Sequence, residues 1–142
     1  MAKSQIICVV DDEPAIRETL ENVLSDEGYP VMSCRDSEDF YAKLEKQTPA
    51  LVLLDIWLPG TDGMAILSQL RETHPDIPVI MMSGHAGIDA AVNAIKLGAV
   101  DFMEKPLRLE ILLDKISIVL SNKPPKIIKD LASDTLLEVA RI

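Results

Sequence analysis

Basic residues are scarce in this sequence. Only 14 Lys and Arg stand against 23 Asp and Glu, a net charge of −9 over 142 residues. A nucleic-acid binder normally carries a basic patch to neutralise phosphates, so nucleic acid is not expected as a partner of these residues. Docking on anionic lipid is disfavoured for the same reason. Long apolar runs are lacking too: none approaches the ~18 residues of a membrane span. The N-terminus lacks the longer apolar region and small-residue cleavage site of a signal peptide. Cysteine is rare, and Cys8 and Cys34 form no CxxC pair and sit in apolar stretches, as buried thiols do in a reducing compartment. What is present is 48% hydrophobic residues, too apolar for a disordered acidic chain. The length suits one domain that folds without disulfides or a structural metal. A cytoplasmic domain with no membrane attachment is the expectation.

The acidity is not evenly spread. Residues 1–121 hold 10 basic and 20 acidic residues, whereas residues 122–142 hold 4 and 3. Short unbroken apolar runs at Ile6–Val10, Ala50–Leu54 and Val79–Met82, with weaker ones at Val31–Cys34 and Val100–Met103, predict strands covered on both faces, as in a parallel sheet. Helical spacing of apolar residues predicts helices over Pro14–Glu27, Ser37–Gln47, Gly63–Thr73, Ile88–Leu97 and Leu109–Leu120, with Ser37 and Asp62 as candidate N-caps and Gly28 and Gly98 as stops. Strand and helix alternate five times, which predicts an open α/β sheet whose active loops lie at the carboxyl ends of the strands. Lys123-Pro124-Pro125-Lys126 then breaks the pattern. The domain is expected over residues 4–121, and residues 122–142 read as a linker or partly helical tail.

Polar residues cluster at the ends of the predicted strands: Asp11, Asp12 and Glu13 after the first, Asp55 after the third, Ser83 after the fourth, Lys105 after the fifth. In a parallel sheet these ends share one rim. Carboxylates gathered there repel one another, and a hard divalent cation such as Mg²⁺ resolves that conflict. Lys105 suits a phosphoryl oxygen as a point charge, and Ser83 can donate to another. An Asp in such a setting can act as a nucleophile and form an acyl phosphate. Taken singly, each residue also has a plainer explanation as a helix cap, loop residue or turn; it is their order along the chain that points to phosphoryl chemistry.

Val9-Val10-Asp11-Asp12-Glu13, Leu53-Leu54-Asp55-Ile56-Trp57-Leu58-Pro59-Gly60-Thr61-Asp62-Gly63, Met82-Ser83-Gly84-His85 and Gly98-Ala99-Val100-Asp101-Phe102-Met103-Glu104-Lys105-Pro106 together resemble the receiver domain of two-component response regulators. The resemblance implies a flavodoxin-like (CheY-like), doubly wound five-stranded sheet of order 2-1-3-4-5 with five helices. It implies Asp55 as phosphoacceptor from a sensor histidine kinase. Mg²⁺ would be held by Asp12, Asp55 and the Trp57 backbone carbonyl, with Asp11 acting mostly through water. Ser83 and Lys105 would bind the phosphoryl group, and Phe102 would be the switch aromatic moving with Ser83. A cis bond is usual in the family before the proline matching Pro106. Trp57 and His85 occupy the rim positions that tune acyl-phosphate lifetime.

Met82–Ile88 and Ala91–Ala99 are similar to the NtrC-type subfamily, and Asp55-Ile56-Trp57-Leu58 to its NtrX branch. That likeness implies a transcriptional output in further domains, with a stand-alone receiver in a phosphorelay as the alternative. It also implies kinase docking at Ala15, Ile16, Thr19, Pro106 and Leu107, and a homodimer on phosphorylation. Three other readings compete: a haloacid-dehalogenase-like phosphatase, which would need an Asp where Trp57 stands; a degenerate receiver acting as a scaffold; and a nucleotide-binding module, which would need a Gly-rich phosphate loop that is lacking here.

Overall fold

The computed structural model describes residues 5–85 and 87–121. The expected tail, 122–142, lies outside the described residues. The elements run β1 (Ile7–Val10), α1 (Pro14–Asp26), β2 (Val31–Cys34), α2 (Ser37–Lys46), β3 (Leu51–Asp55), β4 (Trp57–Leu58), β5 (Thr61–Asp62), α3 (Gly63–Thr73), β6 (Val79–Ser83), α4 (Ile88–Lys96), β7 (Asp101–Glu104) and α5 (Leu109–Ser121). Five parallel strands form one sheet in the order β2-β1-β3-β6-β7. This is the expected 2-1-3-4-5 order, because β4 and β5 make a separate antiparallel pair. That small hairpin was not expected. Two-residue strands leave no periodic apolar trace; its signature is Pro59-Gly60, where Gly60 takes φ +72 to reverse the chain.

The central strands β1, β3 and β6 are buried at every position, which explains their unbroken apolar runs. Successive side chains feed opposite layers. Cys8, Val10, Val52, Leu54, Val79 and Met81 pack with Phe40, Leu44, Ile66, Leu67 and Leu70 from α2 and α3. Ile7, Val9, Leu51, Leu53, Ile80 and Met82 pack with Leu20 and Leu24 of α1 and Leu112, Ile116 and Leu120 of α5. Cys8 and Cys34 are free and buried, with their Sγ atoms 3.8 Å apart.

Local signals set the helix starts. Pro14 opens α1, and Asp62 caps α3 by accepting from the Met64 N–H at 2.9 Å. At α2 the cap is Asp36, not Ser37: the Asp36 carboxylate accepts from the Asp39 N–H at 2.8 Å. A carboxylate is the stronger acceptor at a helix N-terminus. Ser37 is instead the first helical residue, its hydroxyl 3.0 Å from that of Thr61 on the hairpin.

The strand order reverses between β1 and β3, and in open α/β sheets that reversal leaves a crevice outside the carboxyl ends of those strands. One contact holds the crevice tightly. The Gly63 N–H donates to the Ile56 carbonyl at 2.7 Å, and a Cβ on Gly63 would lie 2.2 Å from the Asp55 carbonyl oxygen and 2.8 Å from the Ile56 Cα. Backbone cannot yield as a flexible side chain does. Gly63→Ala is therefore expected to cost about 1–3 kcal/mol, as overpacking does, read as a lower urea midpoint with an unchanged m-value.

Candidate functional site

Val10 pairs with Leu54 in register, so the residues that follow, Asp11 and Asp55, stand side by side where β1 and β3 end. Asp11 is fully buried, Asp55 is 4% exposed, and Asp12 is exposed. One oxygen from each of the three carboxylates lies within 4.8 Å of the others. The Asp11 side chain accepts from the Glu13 N–H at 2.9 Å, and the Asp55 side chain from the Trp57 N–H at 3.2 Å. Both turns are thereby braced by the carboxylates they present.

Lys105 enters from the end of β7. Its N–H donates to the Ser83 carbonyl at 2.8 Å, and its bond to Pro106 is cis. Its ammonium, on a side chain only 12% exposed, donates to Asp11 at 2.7 Å, to Asp55 at 3.1 Å and to Glu13 at 3.3 Å. Burial, then the Asp11 charge, push the Asp55 carboxyl above its ordinary value, against the pull of Lys105 and the Trp57 N–H. For Lys105, burial alone lowers the value, but its hydrogen bonds and attraction to Asp11 and Asp55 outweigh it, and the ammonium is held above its ordinary range. A single cation shared by three carboxylates leaves negative charge uncompensated. The donor set, all carboxylate oxygen and gathered within a few ångströms, fits a hard divalent cation.

Ser83 ends β6 fully buried. Its hydroxyl accepts from the His85 N–H at 3.2 Å, and among the described residues no hydrogen bond joins it to the carboxylates. The structure therefore brings Asp11, Asp12, Asp55 and Lys105 together, with Ser83 on the adjacent strand end. His85 is exposed and meets Ser83 through its backbone. Trp57 is 60% exposed and lines an open groove with Ile56, Asp62, Met64 and Asp89. Phe102 is half-buried and lines a cavity of about 360 Å³ with Gly87, Ile88, Ala91 and Glu104. Ala15, Thr19 and Pro106 are exposed, while Ile16 and Leu107 pack against one layer of the core.

Three contributions escaped the sequence reading. Glu13 shares the Lys105 ammonium. Gly63 admits the Asp55 carbonyl. Arg17 donates from Nη1 to the Asp11 carbonyl at 2.7 Å, a backbone contact that side-chain spacing does not announce.

Two stability measurements without added metal check these electrostatics. Lys105→Met strands Asp11 and Asp55 as buried charges and is expected to cost about 3–5 kcal/mol at pH 7. Asp55→Asn is expected to raise the urea midpoint at pH 7. Because the folded pKa of Asp55 lies above the unfolded value, the folded state binds the extra proton, so wild-type stability falls as pH rises through that interval. The advantage of the Asn variant should therefore shrink as pH is lowered toward 4.

Comparison with known proteins agrees with this architecture. The response regulator receiver domain family matches residues 7–117. The nitrogen assimilation regulatory protein NtrX of Azorhizobium caulinodans is 44% identical over 106 residues, covering 73% of this chain and 23% of that protein. The DNA-binding transcriptional regulator NtrC of Salmonella typhimurium is 40% identical over 105 residues, covering 74% and 22%. This chain thus spans less than a quarter of the length of either. Among solved structures, the receiver domain of NtrX from Brucella abortus superposes with a TM-score of 0.77 at 43% identity, over 81% of this chain and 98% of that one. A beryllofluoride-activated NtrC4 receiver domain dimer gives 0.80 at 33%, over 84% and 99%. With the family matched across nearly all of the described residues and the parallel sheet carrying its acidic rim, this chain belongs to the response regulator receiver domains, in the NtrC/NtrX-type subfamily.

Proposed function

We propose that this domain accepts a phosphoryl group on Asp55 from the phosphohistidine of a sensor kinase and changes conformation in response. The observation that carries the reading is the rim on which buried Asp11 and Asp55 and exposed Asp12 converge, with one ammonium bridging Asp11 and Asp55. An Asp55 carboxylate oxygen attacks phosphorus, and the phosphorus–nitrogen bond breaks with its electron pair going to the imidazole. The carboxylate is a competent nucleophile because Lys105 and the Trp57 N–H hold it in place.

Asp12, Asp55 and the Trp57 carbonyl would hold Mg²⁺, with Asp11 reaching it through water. When bound, the metal supplies charge neutralisation for the transferred group. Lys105 pairs with a phosphoryl oxygen, exchanging part of its contact with Asp55. The Ser83 hydroxyl, engaged with the His85 N–H at 3.2 Å, turns to donate to another oxygen. Phe102, beside a cavity of about 360 Å³, has room to follow as the switch aromatic. Trp57 and His85 tune how long the acyl phosphate lasts.

The kinase docks on Ala15, Ile16, Thr19, Pro106 and Leu107, which flank Lys105 and the start of α1. Phosphorylation favours a homodimer, and the output is transcriptional control by an NtrC-type protein in the cytoplasm. Support for the output comes from the transcriptional regulators among the relatives; a stand-alone receiver is the alternative. The domain acts as a switch whose only chemistry is its own phosphorylation and dephosphorylation.

The test is labelling by acetyl phosphate. Wild-type protein is expected to take up one phosphoryl group per chain with Mg²⁺ and none with excess EDTA, and Asp55→Asn is expected to take up none. Undiminished labelling of the Asn variant, scored by intact mass, sinks the assignment.

A further inference from the structure

Arg17 lies on the first full turn of α1, its N–H donating to the Glu13 carbonyl at 3.1 Å. Its guanidinium does something unexpected beside so many carboxylates. It donates to the backbone carbonyl of Asp11 at 2.7 Å, and among the described residues no carboxylate lies within salt-bridge distance of it. Covalent geometry keeps the Asp11 carboxylate close to its own carbonyl, so this fixed cation stands well within a Debye length, ~10 Å at 0.1 M salt, of the acidic rim. Lys105 engages the Asp11 and Asp55 carboxylate oxygens by direct contact; Arg17 takes none of them.

We propose that Arg17 is a field-setting residue for the phosphoryl donor, resting on the reading of Asp55 as phosphoacceptor. Its hydrogen bond to the Asp11 carbonyl fixes the guanidinium, and with it the charge, beside the turn that presents Asp11 and Asp12. Its charge offsets the repulsion that a chain of net −9 exerts on an anionic donor, and attraction of this kind acts on association rate. The same charge opposes a metal cation. Arg17 therefore trades Mg²⁺ affinity for donor access, and its loss moves the two in opposite directions. A purely structural role would move them together, because a loosened turn weakens metal binding and slows transfer alike.

The experiment compares wild type, Arg17→Gln and Arg17→Lys by Mg²⁺ calorimetry and by initial rates of labelling with acetyl phosphate at saturating Mg²⁺. Arg17→Gln is expected to bind Mg²⁺ more tightly and to label more slowly at low ionic strength, each by roughly two- to fivefold, the effect of one partly screened charge. The labelling difference should fade as salt is raised, and Arg17→Lys should lie near wild type in both. Arg17→Met, which keeps the aliphatic stem, provides a second neutral side chain. The proposal is overturned if the neutral variants bind Mg²⁺ no more tightly than wild type, or if their labelling is not slowed. Wild-type protein that takes no label at all overturns the phosphoacceptor reading instead, while the metal titration still tests Arg17.

Discussion

Three carboxylates cannot be gathered at the ends of two neighbouring strands without something to offset them, and here the offset is the Lys105 ammonium. It reaches from the end of β7 to Asp11 on β1's loop and Asp55 on β3, so one side chain stitches three strand ends across the sheet. The arrangement is incomplete by construction. Asp55 remains harder to ionise than a free carboxylate because burial and Asp11 outweigh the help it receives. An additional cation at the rim relieves that tension.

The scaffold turns that tension into position. Parallel strands with both faces covered deliver their carboxyl ends to one rim, and the reversal of strand order between β1 and β3 opens the crevice there. Gly63 lets α3 start against the Asp55 carbonyl, and the Ser37–Thr61 hydroxyl contact ties the following hairpin to α2. Phe102 on β7 and the start of α4 border an open hollow of about 360 Å³ on the β6–β7 side of the sheet.

Much of this was legible in the residues. Unbroken runs such as Leu51–Leu54 announced two-sided burial, and Asp11, Asp55, Ser83 and Lys105 could be set on one rim from the expectation of a parallel sheet. What stayed hidden depended on choices between near-equals or on long-range contacts. Asp36 and Ser37 are adjacent cap candidates, and the geometry of the turn decided for the carboxylate. The β4–β5 hairpin is too short to leave a period. Glu13 looked like one more acidic residue at a helix start until Lys105 was seen to reach it. Gly63 reads as an unremarkable helix-start residue until the strand beneath it is in place.

The hydrogen bond between Lys105 and Asp11 joins residues 94 apart in sequence, and that between Lys105 and Asp55 joins residues 50 apart. Contacts so distant along the chain form only after the intervening loops have closed. The charge constellation is consequently a property of the finished sheet. A half-folded chain, with β7 undocked, presents its carboxylates without their counter-ion and its β3 end without an ordered crevice. Assembly of the rim and completion of the sheet are therefore one event.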